Sequence, residues 1–82
     1  MQPLPGMDAL ARRVMGICVD DFRLKPCETL SVSALCQVGV RSGMAEQNLM
    51  SGIGKAVMQG WLEVVGRDSL LRVTAAGYFA TR

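Results

Sequence analysis

Three cysteines are the residues best suited to metal or redox chemistry, and Cys18, Cys27 and Cys36 follow one another at intervals of nine. No Cys-x-x-Cys pair occurs, and the chain has no histidine. A structural zinc site takes four ligands, which three thiolates without an imidazole do not supply. We therefore expect no metal and no cofactor, and we expect reduced thiols that pack as small apolar side chains.

Catalytic groups are also scarce. Without histidine, every Ser–His and Cys–His arrangement is excluded. Cys36 lies near the end of a predicted helix, where the helix dipole raises the pKa of a thiol. Asp20 and Asp21 diverge because they are adjacent on a helix, and the run Gly52-Ile53-Gly54-Lys55 lacks the full spacing of a phosphate-binding loop. The sequence therefore predicts a protein that is not an enzyme and reveals no small-molecule ligand.

The composition indicates a macromolecular partner. The 82 residues suffice for one domain, yet half of them are apolar and only a fifth are charged. A core of this size is too small to bury so many apolar side chains. We therefore expect a homodimer, or another protein that covers one face. The six methionines favour the same interpretation, although Met also fills gaps in cores.

The charges are evenly distributed along the chain. Residues 1–41 hold five basic and four acidic side chains, and residues 42–82 hold four and three. A basic surface would have to be assembled by folding. No apolar run approaches the ~20 residues of a membrane-spanning helix, and the first residues lack the basic start of a secretory leader. We therefore expect a cytoplasmic protein that does not enter membranes.

Apolar residues at helical spacing predict two helices in the first half of the chain. The first runs from Asp8, its N-cap, to about Arg23 and ends before the next proline. The second is short. Thr29 or Ser31 caps it, and Gly39 stops it.

A third helix is predicted over 43–59, with Ser42 as its N-cap and Gly60 as its stop. Two glycines, Gly52 and Gly54, lie inside it, and each costs ~1 kcal/mol relative to alanine. They permit the close approach of another backbone, or they mark a break in the helix. The sequence leaves both alternatives open.

The pattern then changes from helix to strand. Residues 61–65 and 70–73 predict a β-hairpin with a four-residue loop. One face of this hairpin would carry Leu62, Val64, Leu71 and Val73. Trp61 is expected to pack across the hairpin rather than to stack on a base.

A short last helix follows the hairpin. It is predicted over 75–80 with Thr74 as its N-cap. Tyr78 and Phe79 are expected to dock it onto the core.

The second helix, a brief turn over Val40-Arg41-Ser42 and the third helix resemble a helix-turn-helix. The run Gly60-Trp61-Leu62-Glu63-Val64, then Gly66 and the run Leu71-Arg72-Val73-Thr74-Ala75-Ala76-Gly77, is similar to the wing of winged-helix transcription regulators. The resemblance covers roughly residues 8–80. It implies an α+β fold, the winged helix, in which a three-helix bundle precedes a two-stranded hairpin wing and a short C-terminal helix.

This resemblance also implies a division of the chain. A flexible lead-in over 1–7 would precede a single winged-helix domain over 8–82. Within it, the helix-turn-helix would span about 30–59 and the wing about 61–73.

Winged-helix regulators place the third helix in the major groove and the wing on the neighbouring backbone. The resemblance therefore implies duplex DNA as the partner and transcriptional regulation as the function. The DNA-binding candidates that it implies are Arg41, Ser42, Gln47, Asn48, Ser51, Lys55, Arg67 and Arg72.

The candidates differ in the contacts that they offer. Gln47 and Asn48 carry the paired donor and acceptor that match an adenine edge, and Ser51 can meet bases or phosphates. Arg41 would contact phosphate from the start of the third helix, and Arg67 from the wing.

Two alternatives stay open. The same polar side chains also suit an ordinary solvated helix face, on which Glu46 would repel phosphate. The fold can also serve as a protein-interaction or dimerisation module that binds no DNA. A contiguous positive patch would favour DNA, whereas an apolar patch ringed by polar residues would favour a protein partner.

Overall fold

The structure is a computed structural model, and it describes residues 7–66 and 70–81. Within these residues the fold is α+β, as predicted, with four α-helices and a three-stranded antiparallel sheet. The elements in chain order are α1 (Met7–Gly16), a π-helical turn (Ile17–Asp21), β1 (Thr29–Ser31), α2 (Val32–Arg41), α3 (Glu46–Met58), β2 (Leu62–Val65), β3 (Leu70–Val73) and α4 (Ala75–Ala80). No helix in this part of the chain is long and apolar enough to cross a membrane.

The first helix changes its winding near its end. After α1, the residues Ile17–Asp21 wind as a π-helix, a form that usually appears as a single widened turn. Arg23 then adopts φ of 55°, and the amide of Leu24 donates to the carbonyl of Cys18 at 3.1 Å. This left-handed residue, and not Pro26, ends the helix.

The start of α2 confirms one of its two predicted caps. The hydroxyl of Ser31 accepts the backbone N–H of Ala34 at 3.1 Å, whereas Thr29 lies in β1. The predicted stop at Gly39 is wrong, since the helix continues for two more residues. Gly39 is buried against Leu49, where a Cβ atom would overlap the leucine side chain. Its role is close packing.

The connection between α2 and α3 is longer than predicted. Gly43 has φ of 96°, which turns the chain away from α2. The hydroxyl of Ser42 donates to the carbonyl of Val38 at 2.9 Å, so this residue closes α2 and does not cap α3. Helix α3 begins at Glu46, and Ala45 at its N-cap supplies no side-chain hydrogen bond.

Helix α3 is unbroken through both of its glycines. A Cβ atom at Gly52 would lie 2.7 Å from the backbone carbonyl oxygen of Leu10, so α1 and α3 pack backbone against backbone here. Gly54 is exposed and has open space around it. Gly60 follows the helix with φ of 78° and ends it as predicted. The close-approach alternative therefore holds at Gly52, and neither glycine marks a break.

The predicted hairpin is confirmed in its register. Leu62 lies opposite Val73, and Val64 lies opposite Leu71. Strand β1 was not predicted. It adds to the other edge of β3, with Leu30 opposite Leu71. A three-residue strand shows too little alternation to be recognised from sequence, and its partner lies far along the chain.

The core is built from one side of α1, the inner sides of α2 and α3, and one face of the sheet. Its buried apolar residues are Leu10, Ala11, Val14, Met15, Ile17, Cys18, Leu30, Leu35, Met44, Leu49, Ile53, Ala56, Leu62, Leu71 and Val73. Tyr78 packs against this core from α4, as predicted. Phe79 does not, because it is 67% exposed. Adjacent helical residues point about 100° apart, so only one of the two faces inward.

Candidate nucleic-acid interface

Helix α3 turns its apolar side toward the core and leaves the other side exposed. Leu49, Ile53 and Ala56 are buried at the spacing of three or four that aligns residues along one side of a helix. The side chains away from the core form what we call the α3 face, which consists of Gln47, Asn48, Met50 and Ser51. Ser51 is half-buried and the other three are exposed. Their polar groups make no hydrogen bond with the side chains or backbone of other elements in residues 7–66 and 70–81.

Two of the predicted phosphate contacts belong to α2 rather than to α3. Arg41 is the last residue of α2 and Ser42 is its C-cap, so the expectation that they open the third helix is wrong. The range 43–45 separates them from α3. Arg41 is exposed and forms no ion pair with a residue that the structure describes. The hydroxyl of Ser42 is already engaged by α2.

Lys55 lies toward α1. Its Nζ atom is 3.6 Å from Oδ1 of Asp8, and the side-chain amide of Gln59 donates to the same oxygen at 3.3 Å. Asp8 sits in the first turn of α1, so its predicted role as N-cap is wrong. Because Lys55 follows Asn48 by seven residues, the two are only about 20° apart around the helix. Lys55 therefore lies on the same side of α3 as Asn48, about two turns further along, and its ammonium group is paired with Asp8.

The hairpin contributes one described cation. Arg72 lies opposite Glu63 in the register of β2 and β3, and its Nη2 atom donates to Oε2 of that glutamate at 3.1 Å. The other predicted wing residue, Arg67, lies outside the described residues. Of the predicted cations that the structure describes, Lys55 and Arg72 are each paired with a carboxylate, and Arg41 is not.

Trp61 is half-buried and packs against the core. The guanidinium carbon of Arg12 lies 5.7 Å from the centroid of its ring, within the range of a cation–π interaction. One face of the indole is therefore covered by Arg12 of α1 and is not open to a base.

A groove of about 750 Å³ runs between α2 and α3. We call it the α2–α3 groove, and it is lined by Val32, Ser33, Cys36, Gln37, Val40, Arg41, Glu46 and Met50. Val40 and Met50 are 53% and 51% exposed. No role was predicted for either residue from the sequence. The feature that could have identified Met50 is its position outside the apolar stripe that Leu49 and Ile53 form.

Two of the three thiols, Cys18 and Cys36, have raised pKa values. Cys36 lies in the middle of α2 and not near its end. Burial, and then the negative charge of Glu46, raise the pKa of Cys36. The predicted direction was right, but the helix dipole is not the cause. Burial also raises the pKa of Cys18 to about 12. Cys27 is exposed, and none of the three forms a disulfide. Among the described residues, no three potential metal ligands come together.

Comparison of the chain with protein-family models, with curated proteins and with solved structures finds no match. The structure itself establishes an α+β arrangement in which α2 and α3 are joined by a short connection and followed by a hairpin. The winged-helix family remains a prediction from the sequence.

Proposed function

We propose that this protein is a small cytoplasmic winged-helix DNA-binding protein that regulates transcription. Helix α3 would enter the major groove of duplex DNA, and the hairpin would lie on the backbone. The observation that supports this proposal most directly is the α3 face, on which Gln47, Asn48 and Ser51 hold polar groups that no other element uses.

The shape of α3 suits this task. An α-helix with its side chains is about 10–12 Å across, and the major groove is about 12 Å wide. Gln47 and Ser51 are separated by one helical turn, with Asn48 beside them, so all three can reach the edges of neighbouring base pairs. An amide side chain that binds adenine in a bidentate manner discriminates against the wrong base by about 1–3 kcal/mol.

Phosphate contacts would add little to this binding. Arg41 is free to reach a phosphate, but Lys55 would have to leave Asp8, and Arg72 would have to leave Glu63. Exposed ion pairs of this kind are worth about 0–1 kcal/mol, so a phosphate can compete for both cations. With only Arg41, Lys55 and Arg72 as its described cations, the proposal implies about three backbone contacts and a shallower dependence on salt than that of proteins with about six to ten such contacts.

The proposal is tested by selecting preferred sites from a random duplex library and then measuring fluorescence anisotropy. Gln47→Ala and Asn48→Ala should each weaken binding to the selected site by about 1–3 kcal/mol, which is roughly a tenfold to hundredfold loss of affinity. Their effect on binding to a scrambled duplex should be far smaller. Thr29→Ala, an exposed polar substitution on β1, is the matched control and should change neither. No binding of any duplex at about 50 mM salt, where non-specific contacts are favoured, would refute DNA binding.

A second candidate function is favoured by the α2–α3 groove. Its lining combines apolar side chains, among them Val40 and Met50, with Ser33, Gln37 and other polar groups. Such a patch is typical of protein interfaces. In this alternative the protein is an interaction or dimerisation module that does not bind DNA. Duplex binding distinguishes the two functions directly.

A further inference from the structure

The α2–α3 groove leaves apolar side chains exposed to solvent. Val40 from α2 and Met50 from α3 line the groove and expose about half of their area. An exposed apolar cluster of this kind favours association. The thioether of Met50 is adaptable and suits a contact that is formed and released.

The charges of the groove limit what can occupy it. Arg41 and Glu46 are the two charged side chains in its lining. Neither forms an ion pair within the described residues. An acidic partner would be attracted by Arg41 and repelled by Glu46, and a basic partner would meet the reverse. A complementary partner surface would therefore carry a negative charge for Arg41, a positive charge for Glu46 and apolar side chains between them.

A second copy of this chain has this composition. In an isologous two-fold interface, residue i of one copy meets residue j of the other, and j meets i. We propose that the α2–α3 groove is a homodimer interface, in which Val40 and Met50 of the two copies pack together and Arg41 of each copy pairs with Glu46 of the other. This inference goes beyond the proposed function, because the dimer forms without DNA. It also restricts that function: Arg41 and Met50 are covered in the dimer, so a chain must leave the dimer before these two residues can contact DNA.

The pairing is tested by charge reversal in sedimentation or light-scattering measurements on the full chain without DNA. Arg41→Glu and Glu46→Arg should each weaken the dimer at least about tenfold, since either one sets like charges against each other at two symmetric places. The double variant should recover the parental dimerisation constant. The two single variants, mixed in equal amounts, should form a heterodimer.

The apolar contact has its own matched pair of variants. Met50→Asp should abolish the dimer, whereas Met58→Asp, on the same helix but outside the groove and 82% exposed, should leave it unchanged. Circular dichroism melting of each variant checks that the fold is kept. A parent chain that stays monomeric at millimolar concentration overturns the inference. A dimer that ignores the charge reversals and Met50→Asp overturns it too, since another surface then forms the contact.

Discussion

The α-carbon of Gly52 lies so close to Leu10 that a Cβ atom would sit 2.7 Å from the leucine carbonyl oxygen. Helix α1 presents the Leu10 carbonyl group and the Val14 side chain to this position, and α3 has no side chain there. Gly54, two residues later in the same helix, has no neighbour within 4 Å at its Cβ position. The two glycines are thus a natural matched pair.

Gly52→Ala should destabilise the protein by about 1–3 kcal/mol, because the helices must move apart to admit the methyl group. Gly54→Ala should instead stabilise it by about 0.5–1 kcal/mol through helix propensity. Urea denaturation of both variants and the parent measures the difference. Equal effects at the two positions would show that α1 and α3 do not pack this closely.

Thr74 joins the start of α4 to the end of α3. Its hydroxyl accepts the N–H of Gly77 at 3.0 Å and donates to the carbonyl of Gly60 at 2.6 Å. Thr74→Ala removes both bonds and should cost about 1–2 kcal/mol. Thr74→Ser keeps the hydroxyl and should recover most of this loss. Thermal melting of the two variants and the parent measures these changes in stability. An equal loss of stability in both variants would show that the effect comes from the methyl group and not from the hydroxyl.

Cys18 should make the protein sensitive to alkali. Burial raises its pKa from 9.0 to about 12 in the folded chain, so the unfolded thiol ionises first as the pH rises. Its contribution to stability is complete below pH 9 and is lost between about pH 9 and 12. In this window one such group lowers the free energy of unfolding by about 1.4 kcal/mol per pH unit.

The Cys18→Ala variant isolates this effect. A cavity lowers its stability at every pH, but its free energy of unfolding should fall less steeply above pH 9 than that of the parent. Denaturant titrations from pH 7 to pH 10.5 give the two slopes. Parallel slopes would contradict the role of the buried thiol. Cys27→Ala, at an exposed position, is the control.

The ion pair between Lys55 and Asp8 bears on the proposed DNA binding. If Lys55 reaches a phosphate, Asp8→Asn should strengthen non-specific duplex binding, because the lysine no longer has a competing carboxylate. The logarithmic dependence on salt should steepen by up to about 0.9, the value for one added phosphate contact. Anisotropy across a salt series measures it. Asp20→Asn removes the same charge from the π-helical turn and should have a smaller effect on the slope.

Much of the secondary structure is legible in the sequence because it depends on neighbours along the chain. Apolar spacing locates α1, α2 and α3, and the alternation after Gly60 locates the hairpin with its register. The hydroxyl caps at Ser31 and Thr74 follow the same local rule, since each bonds an amide only three residues ahead. The exposed position of Gln47 and Asn48 is likewise given by the helical period.

Contacts between distant segments decided the rest. Strand β1 exists because β3 offers it an edge, and Gly39 stays within a helix because Leu49 packs against it. The placement of Lys55 beside Asp8 depends on how α1 crosses α3. The α2–α3 groove arises only when two helices, each with an apolar side chain off its main stripe, are brought together. Local spacing encodes which side of a helix is apolar, but tertiary packing determines which charges are paired and which apolar groups remain exposed.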